Sequence, residues 1–197
     1  MVEWEYIREL QGQGIPIIHC LLRRHDLKYN FLVMEQLDHE DLEDKFQKLN
    51  RSFSMKTLLM LADQMIENIE MIHEKGVLHN DLKPDNMSMG MDAKNSSQLY
   101  IIDFGMCSHW KKDDGSHIGY RGFYFFSIIY LSIFLYLISI IFHIGGQNNP
   151  GNPLFASTRT HEGIERSRRD DFESIAYILM YFASMGNLDW IDDAQTK

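Results

Sequence analysis

One long amphipathic helix is the feature that most limits how this chain can fold. Apolar side chains recur every three or four residues from about 55 to 75, which predicts one face packed in a core. Ser54 stands where an N-cap is expected, and Gly76 ends the pattern. The inward-facing residues of this stripe are Leu58, Leu61, Met65, Ile69 and Ile72. We expect the stripe to belong to the core and assign it no catalytic role.

Two polar loops follow this helix, at residues 79–86 and 103–105. The apolar run at 98–103, which leads into the second loop, reads as a short buried strand that ends on an acid. A histidine in the place of His79 packs structurally in comparable loops, so we do not expect it to act as a base. Either loop alone would be weak evidence, but the pair matches the motif set of protein kinases.

The chemistry of the two loops is that of phosphoryl transfer. This reaction needs a carboxylate beside the attacking hydroxyl, oxygen ligands for Mg²⁺ and a cation near the transferred phosphate. Asp81 would accept or orient the hydroxyl proton, and Lys83 would neutralise the transferring group. Asn86 and Asp103 would ligate Mg²⁺ through hard oxygen atoms. The sequence therefore predicts catalytic residues Asp81 and Lys83 and metal ligands Asn86 and Asp103.

Several other segments resemble the casein kinase 1 group of Ser/Thr protein kinases. They are residues 8–16, 32–35, 58–66, 163–174 and 177–182, and the resemblance covers about 3–118 and 150–190. It implies an α+β, bilobal protein-kinase-like fold, ATP and Mg²⁺ as cofactors, and transfer of the γ-phosphate to hydroxyls of a protein substrate that is acidic. Asp171, at the start of a second long helix, would anchor the backbone of the catalytic loop.

The resemblance also implies a set of nucleotide-binding residues. Met34 would be the gatekeeper, and the stretch from Glu35 to Leu37 would form the hinge that contacts adenine. Ser88 would lie beneath the adenine ring, and Glu3 matches the glutamate of the ion pair in the first kinase helix. The full set is Glu3, Met34, Glu35, Gln36, Leu37, Ser88 and Ile102.

On this basis we expect one partial kinase domain over residues 1–197. Residues 1–37 would be a truncated N-terminal lobe with the hinge. Residues 38–197 would be a mainly α-helical C-terminal lobe, truncated after its central helix and carrying an apolar insertion at about 122–146.

Periodicity predicts further elements along this chain. Helical patterns cover residues 3–10, 40–49 and 169–184, and two antiparallel strands are expected at 16–22 and 30–36. The last helix would turn five residues inward: Phe172, Ile175, Ile178, Leu179 and Phe182.

Several departures from the family predict weak or no activity. The 197 residues contain neither the glycine-rich loop nor the strand lysine that grips the phosphates. A phosphate lysine worth roughly 3 kcal/mol corresponds to about two orders of magnitude in rate. Asn80 replaces an arginine, which we regard as minor, and Ser88 replaces an apolar residue under adenine. Leu154 stands near the place of an arginine that helps to hold an acidic substrate residue.

The uncharged stretch from Phe123 to Phe142 interrupts the family pattern. By length and hydropathy it could be a transmembrane helix, although this would place the substrate-binding loop in lipid. It could also be a buried core helix, for which it lacks a polar face. The third interpretation, a translated intron, is favoured by its restricted composition and by the clean return of the family pattern afterwards.

Charge and cysteine content restrict the partners. A net charge of −9 argues against nucleic acid or an anionic membrane as the main partner. We therefore expect membrane association only through residues 123–142. Arg166, Arg168 and Arg169 form a local basic group that could attract an acidic substrate or be a solvated helix start with ion pairs. Cys20 and Cys107 fit no zinc or redox spacing. We expect a monomer in the cytoplasm or nucleus, or at a membrane if the apolar stretch inserts.

Three classes of function remain open at this point. The first is an active kinase, and the second is a catalytically dead pseudokinase that serves as a docking module. The third, a membrane-anchored interaction protein, depends entirely on the apolar stretch. Magnesium-dependent ATP binding separates the first two, and carbonate-resistant membrane association identifies the third.

Overall fold

The computed structural model of the chain describes residues 2–24, 29–112, 114–118 and 152–188. The helices are α1 (Val2–Glu9), α2 (Leu42–Lys48), α3 (Met55–Glu74), α4 (Thr158–His161) and α5 (Arg168–Ala183). The strands are β1 (Ile18–Arg24), β2 (Tyr29–Met34), β3 (Leu37–Asp41), β4 (Val77–Leu78), β5 (Met87–Gly90), β6 (Leu99–Ile101) and β7 (Ser108–His109). A single 3₁₀ turn, Pro84–Asn86, leads into β5.

The strands form three small antiparallel sheets within the described residues. β1 pairs with β2, β5 lies between β3 and β6, and β4 pairs with β7. Along the chain, groups of strands alternate with groups of helices: β1–β3 precede α2 and α3, and β4–β7 precede α4 and α5. This mixture of helices and small sheets is the predicted α+β class.

Helix α3 is the centre of the core, as its periodicity predicts. Its apolar stripe is buried, except that Leu58 is only partly covered. The Ser54 hydroxyl accepts a hydrogen bond from the Thr57 N–H at 3.1 Å, which caps the first turn. Gly76 has a φ of 85°, a conformation that strains other residues, and here the chain turns away towards β4.

Helix α5 packs against α3 and corrects one prediction. Ile175, Ile178 and Phe182 are buried and Leu179 is partly buried, but Phe172 is 36% exposed. The Phe172 ring meets the ring of His73 edge-on, with the ring centroids 5.5 Å apart. The expectation that Phe172 faces inward is therefore wrong.

Four short strands, β3, β4, β5 and β7, are not evident from the sequence. Strand β3 occupies the start of the predicted helix at 40–49, so α2 begins two residues later than expected. The strand contains Asp38, His39, Glu40 and Asp41, which favour strands poorly. Its pairing with β5 supplies the hydrogen bonds that its own sequence does not predict.

No helix among the described residues is long and apolar enough to cross a bilayer. The stretch from Phe123 to Phe142, and the whole predicted insertion at 122–146, lies outside the described residues. Its three interpretations therefore stay predictions.

Candidate active site

The carboxylate of Asp171 anchors the loop that carries the first acid. Asp171 lies in the first turns of α5, which a capping box between Ser167 and Asp170 stabilises. It is 2% exposed and accepts hydrogen bonds from the N–H groups of His79 and Asn80, both at 2.9 Å. It also contacts Nε2 of His73, in α3, at 2.8 Å. The expectation that Asp171 anchors this backbone is confirmed.

His79 is a packing residue at the start of the same loop. It is fully buried, and its ring meets the ring of Phe104 edge-on, with centroids 5.2 Å apart. Nδ1 faces the Asp81 N–H at 3.3 Å, so Nε2 carries the proton and donates to the Ile102 carbonyl at 3.2 Å. Burial lowers the pKa of His79, which keeps the ring neutral. The prediction that it packs and is not a base agrees with these contacts.

Three of the four predicted reaction residues meet at Asp81. Its side chain is 8% exposed. Lys83 Nζ lies 3.1 Å from Asp81 Oδ2, and Asn86 Nδ2 donates to the same oxygen at 3.2 Å and to the Asp81 carbonyl at 2.9 Å. The second carboxylate oxygen, Oδ1, accepts the N–H of Asn152 at 2.9 Å. Sequence reasoning missed Asn152, because its contribution is a backbone group 71 residues away.

Asp103 lies in the neighbouring loop, and its side chain is exposed. The Ile102 N–H donates to the Asn86 carbonyl at 3.0 Å, which joins the two loops one residue before the acid. Asp103 has a φ of 63°, and its Oδ1 accepts the Gly105 N–H at 3.2 Å. Phe104 is fully buried and fixes the loop to the core.

The donor set of Asn86 and Asp103 fits a magnesium ion. A carboxylate and an amide oxygen are hard ligands, and Mg²⁺ in proteins takes one or two such groups together with water and phosphate oxygens. Nδ2 of Asn86 is committed to Asp81, so its side-chain oxygen is the atom left to act as a ligand. No group of three or more His, Cys, Asp or Glu side chains gathers as a metal site in the part of the chain that the structure describes.

The predicted hinge residues form a separate group around β2 and β3. Met34 ends β2 opposite Ile18, and Leu37 begins β3 opposite Gly90. Glu35 Oε2 accepts the Ile17 N–H at 3.1 Å, and Oε1 accepts Asn95 Nδ2 at 3.2 Å. The Glu35 side chain therefore links the predicted hinge to Ile17 and Asn95. Gln36 is the exposed residue of the group.

The other nucleotide-binding candidates lie in three different places. Ser88, on the central strand β5, is 3% exposed, and its hydroxyl donates to the Asp38 carbonyl at 3.1 Å. Ile102 is half-buried between the two acid loops. Glu3 lies in α1, and its side chain is outside the described part of the structure.

The basic group at 166–169 does not act as one cluster. Arg166 is half-buried, and its Nη1 donates to the Asn80 carbonyl at 2.7 Å. The Arg168 guanidinium lies over the Trp110 ring, 4.0 Å from the centroid. Arg169 has a side chain that is 49% exposed. It borders a surface cavity of about 380 Å³, which is also lined by His109, His117 and Arg166.

One family comparison agrees with this geometry. The family model described as "Protein kinase domain" matches residues 1–124 of the 197, which is more than half of the chain. The matched part runs from α1 through β7 and includes both acid loops.

Proposed function

The chain belongs to the protein kinase family, and from this premise we propose that it is a Ser/Thr protein kinase of the casein kinase 1 type. It would transfer the γ-phosphate of ATP to hydroxyl groups of protein substrates. Residues 1–37 would be the N-terminal lobe with the hinge, and residues 38–197 the C-terminal lobe. The subtype is supported by the segments that resemble this group, above all residues 163–174.

The arrangement at Asp81 is the observation that carries the proposal. Its carboxylate is nearly buried and is oriented by Lys83 and Asn86 before any substrate binds. A carboxylate held in this way can accept the proton of an attacking hydroxyl. The Lys83 ammonium lies beside it and can stabilise charge that develops on the transferred group.

The cofactors of the protein kinase family, ATP and Mg²⁺, would supply the phosphoryl group and neutralise its charge. Asn86 and Asp103 would hold the metal ion. The backbone of Glu35, Gln36 and Leu37, with Met34 and Ile102, would hold the base. The contacts of the Glu35 carboxylate with Ile17 and Asn95 keep this hinge in place.

We propose an acidic segment as the protein substrate. Arg169 borders a cavity with His109 and His117, which Glu165 also lines, and its guanidinium lies 3.9 Å from the Asp170 carboxylate while its side chain stays 49% exposed. Arg168 is stacked on Trp110 and Arg166 is directed to the catalytic loop, so Arg169 is the residue of the basic group that we assign to substrate attraction.

A second candidate, a docking module without catalysis, is favoured by one observation. Both oxygens of Asp81 already accept hydrogen bonds, Oδ1 from the Asn152 backbone and Oδ2 from Lys83 and Asn86. A substrate hydroxyl has to share or displace one of these donors. In a docking module, Asp81 would keep these hydrogen bonds permanently, because no substrate hydroxyl would replace them.

Nucleotide binding and phosphate transfer separate the two candidates. We expect Mg-ATP to raise the thermal unfolding midpoint of the 197-residue chain, and to raise it less in Asp103→Asn, which loses a charged ligand. The chain should phosphorylate an acidic peptide, and Asp81→Asn should lower kcat by about 100-fold or more. An unfolding midpoint indifferent to nucleotide, with no transfer, would instead support the docking module. Carbonate-resistant membrane association would support the membrane-anchored alternative.

A further inference from the structure

Asn80 is held in a strained backbone conformation by hydrogen bonds on its N–H, its carbonyl and its side-chain nitrogen. Its φ is 67°, in the left-handed region that residues other than glycine rarely adopt. Its N–H donates to Asp171, and its side-chain nitrogen donates to the Met106 carbonyl at 2.9 Å and to the Ser108 hydroxyl at 2.8 Å. Its carbonyl accepts Nη1 of Arg166. Such strain persists only where the surroundings over-determine it.

The peptide unit that joins Asn80 to Asp81 is held at both ends. Its carbonyl accepts the Arg166 guanidinium at 2.7 Å, and its N–H, which belongs to Asp81, faces His79 Nδ1 at 3.3 Å. Because a peptide unit is planar, fixing its oxygen and its nitrogen fixes the plane from which the Asp81 side chain departs. Arg166 is the only one of these two partners that carries a charge, since His79 is neutral.

Arg166 is distant from Asn80 in the chain, and its guanidinium lies near several carboxylates. It lies just before α5, 86 residues after Asn80, and its side chain is half-buried. Burial lowers the pKa of Arg166, while the carboxylates of Asp171, Asp81 and Asp170 oppose that shift. The guanidinium stays protonated, because its ordinary pKa is far above neutral. Its charge therefore acts on the same carboxylates that anchor and form the site.

We propose that Arg166 is a positioning residue for phosphate transfer, which holds the Asn80–Asp81 peptide so that the Asp81 carboxylate points at the substrate hydroxyl. The inference rests on the proposed function and adds a residue outside both acid loops. It separates Arg166 from Arg169: Arg166 acts on the orientation of Asp81, and Arg169 acts on substrate binding. Through Arg166, the segment before α5 thereby influences the geometry of the catalytic loop.

Kinetics of Arg166→Met and Arg166→Lys test the proposal. In Arg166→Met we expect kcat to fall about 10- to 100-fold, because a small misplacement of a reacting group has effects of this size. The KM values for Mg-ATP and for an acidic peptide should stay within about two-fold, because the Arg166 guanidinium, although it lines the cavity beside Arg169, donates to the Asn80 carbonyl and is not the arginine that we assign to substrate attraction. Arg166→Lys keeps a charged donor and should recover part of kcat. Arg159→Met, an exposed arginine in α4, is the matched control and should change neither value.

Hydrogen exchange of the backbone amides at 79–83 gives a second measurement that needs no activity. Exchange there should be faster in Arg166→Met than in the wild type, while exchange in α3 stays the same. Unchanged kcat together with unchanged exchange would overturn the proposal. A raised peptide KM with unchanged kcat would also overturn it and make Arg166 a substrate contact. If the wild-type chain transfers no phosphate, the proposed function fails, and the exchange result alone then decides whether Arg166 positions the loop.

Discussion

Asp81 and Asp103 lie in neighbouring loops, yet the fold holds them in different ways. Asp81 is nearly buried, and its carboxylate accepts hydrogen bonds from Lys83, Asn86 and the Asn152 backbone. Asp103 is exposed, and its side chain accepts a local hydrogen bond from the Gly105 N–H. The first loop is fixed by polar contacts to α5. The second is fixed by the burial of the Phe104 ring and by hydrogen bonds to the first loop.

The difference matches the tasks that we propose for the two acids. A residue that accepts a proton has to lie within hydrogen-bonding distance of the reacting hydroxyl, so fixing Asp81 in advance lowers the cost of orientation. A metal ligand has to be reached by a hydrated cation, and the exposed carboxylate of Asp103 allows this.

Removing the anchor of the first loop should have the largest effect. In Asp171→Ala, the amides of His79 and Asn80 and the ring nitrogen of His73 lose a buried acceptor. We expect the free energy of unfolding to fall by about 3–5 kcal/mol. Urea unfolding followed by tryptophan fluorescence measures it. Glu162→Ala, at an exposed position, is the control and should change stability by about 0.5 kcal/mol or less. A loss below about 1 kcal/mol in Asp171→Ala would show that the loop is held by other contacts.

Acidic pH should lower the free energy of unfolding through His79, and we expect this effect to be smaller than that of Asp171→Ala. Burial lowers the pKa of His79 in the folded state, so the unfolded chain binds that proton more tightly. The stability that neutral His79 contributes is therefore complete above the ordinary pKa of about 6.5 and is lost as the pH falls towards the folded pKa. Unfolding free energies at about pH 7.5 and pH 5.5 should differ more in the wild type than in His79→Gln. Equal differences in the two proteins would assign the acid sensitivity to other groups.

Changing the exposed acid should have the smallest effect on stability. Without nucleotide, Asp103→Asn should shift the free energy of unfolding by about 0.5 kcal/mol or less, because its carboxylate is exposed and has no charged partner in the described residues. Asp81→Asn, measured in the same denaturation series, should be costlier because it disturbs the contacts with Lys83 and Asn86. If the two variants were equally stable, the contrast between the loops would not hold.

Local sequence signals predicted the long helices well. The apolar spacing of α3, its Ser54 cap and its end at Gly76 all appear in the structure as expected. The two acid loops were equally evident, since each carries its motif within one short run of residues, 79–86 and 103–105. The paired strands at 16–22 and 30–36 were predicted within two residues of the observed starts and ends. These elements share one property: the sequence signal for each lies within a few neighbouring residues.

The failures concern elements that depend on distant partners. Strand β3 is polar and depends on its pairing with β5. Phe172 follows the helical period but is exposed. Grouping the three arginines of 166–169 by sequence concealed that one of them is directed to Asn80 and another to Trp110. No periodicity or cap reports a contact of this kind.

The sequence by itself determined the helices, the order of the two acid loops and the chemical groups that they carry. Only the tertiary structure decided that the Asn152 backbone meets Asp81 and that Arg166 meets Asn80. Helical period and capping act within one or two turns, so they can be read from neighbouring residues. A hydrogen bond between groups 70 to 90 residues apart in the chain depends on how α5 and the segments before it pack against the rest of the core.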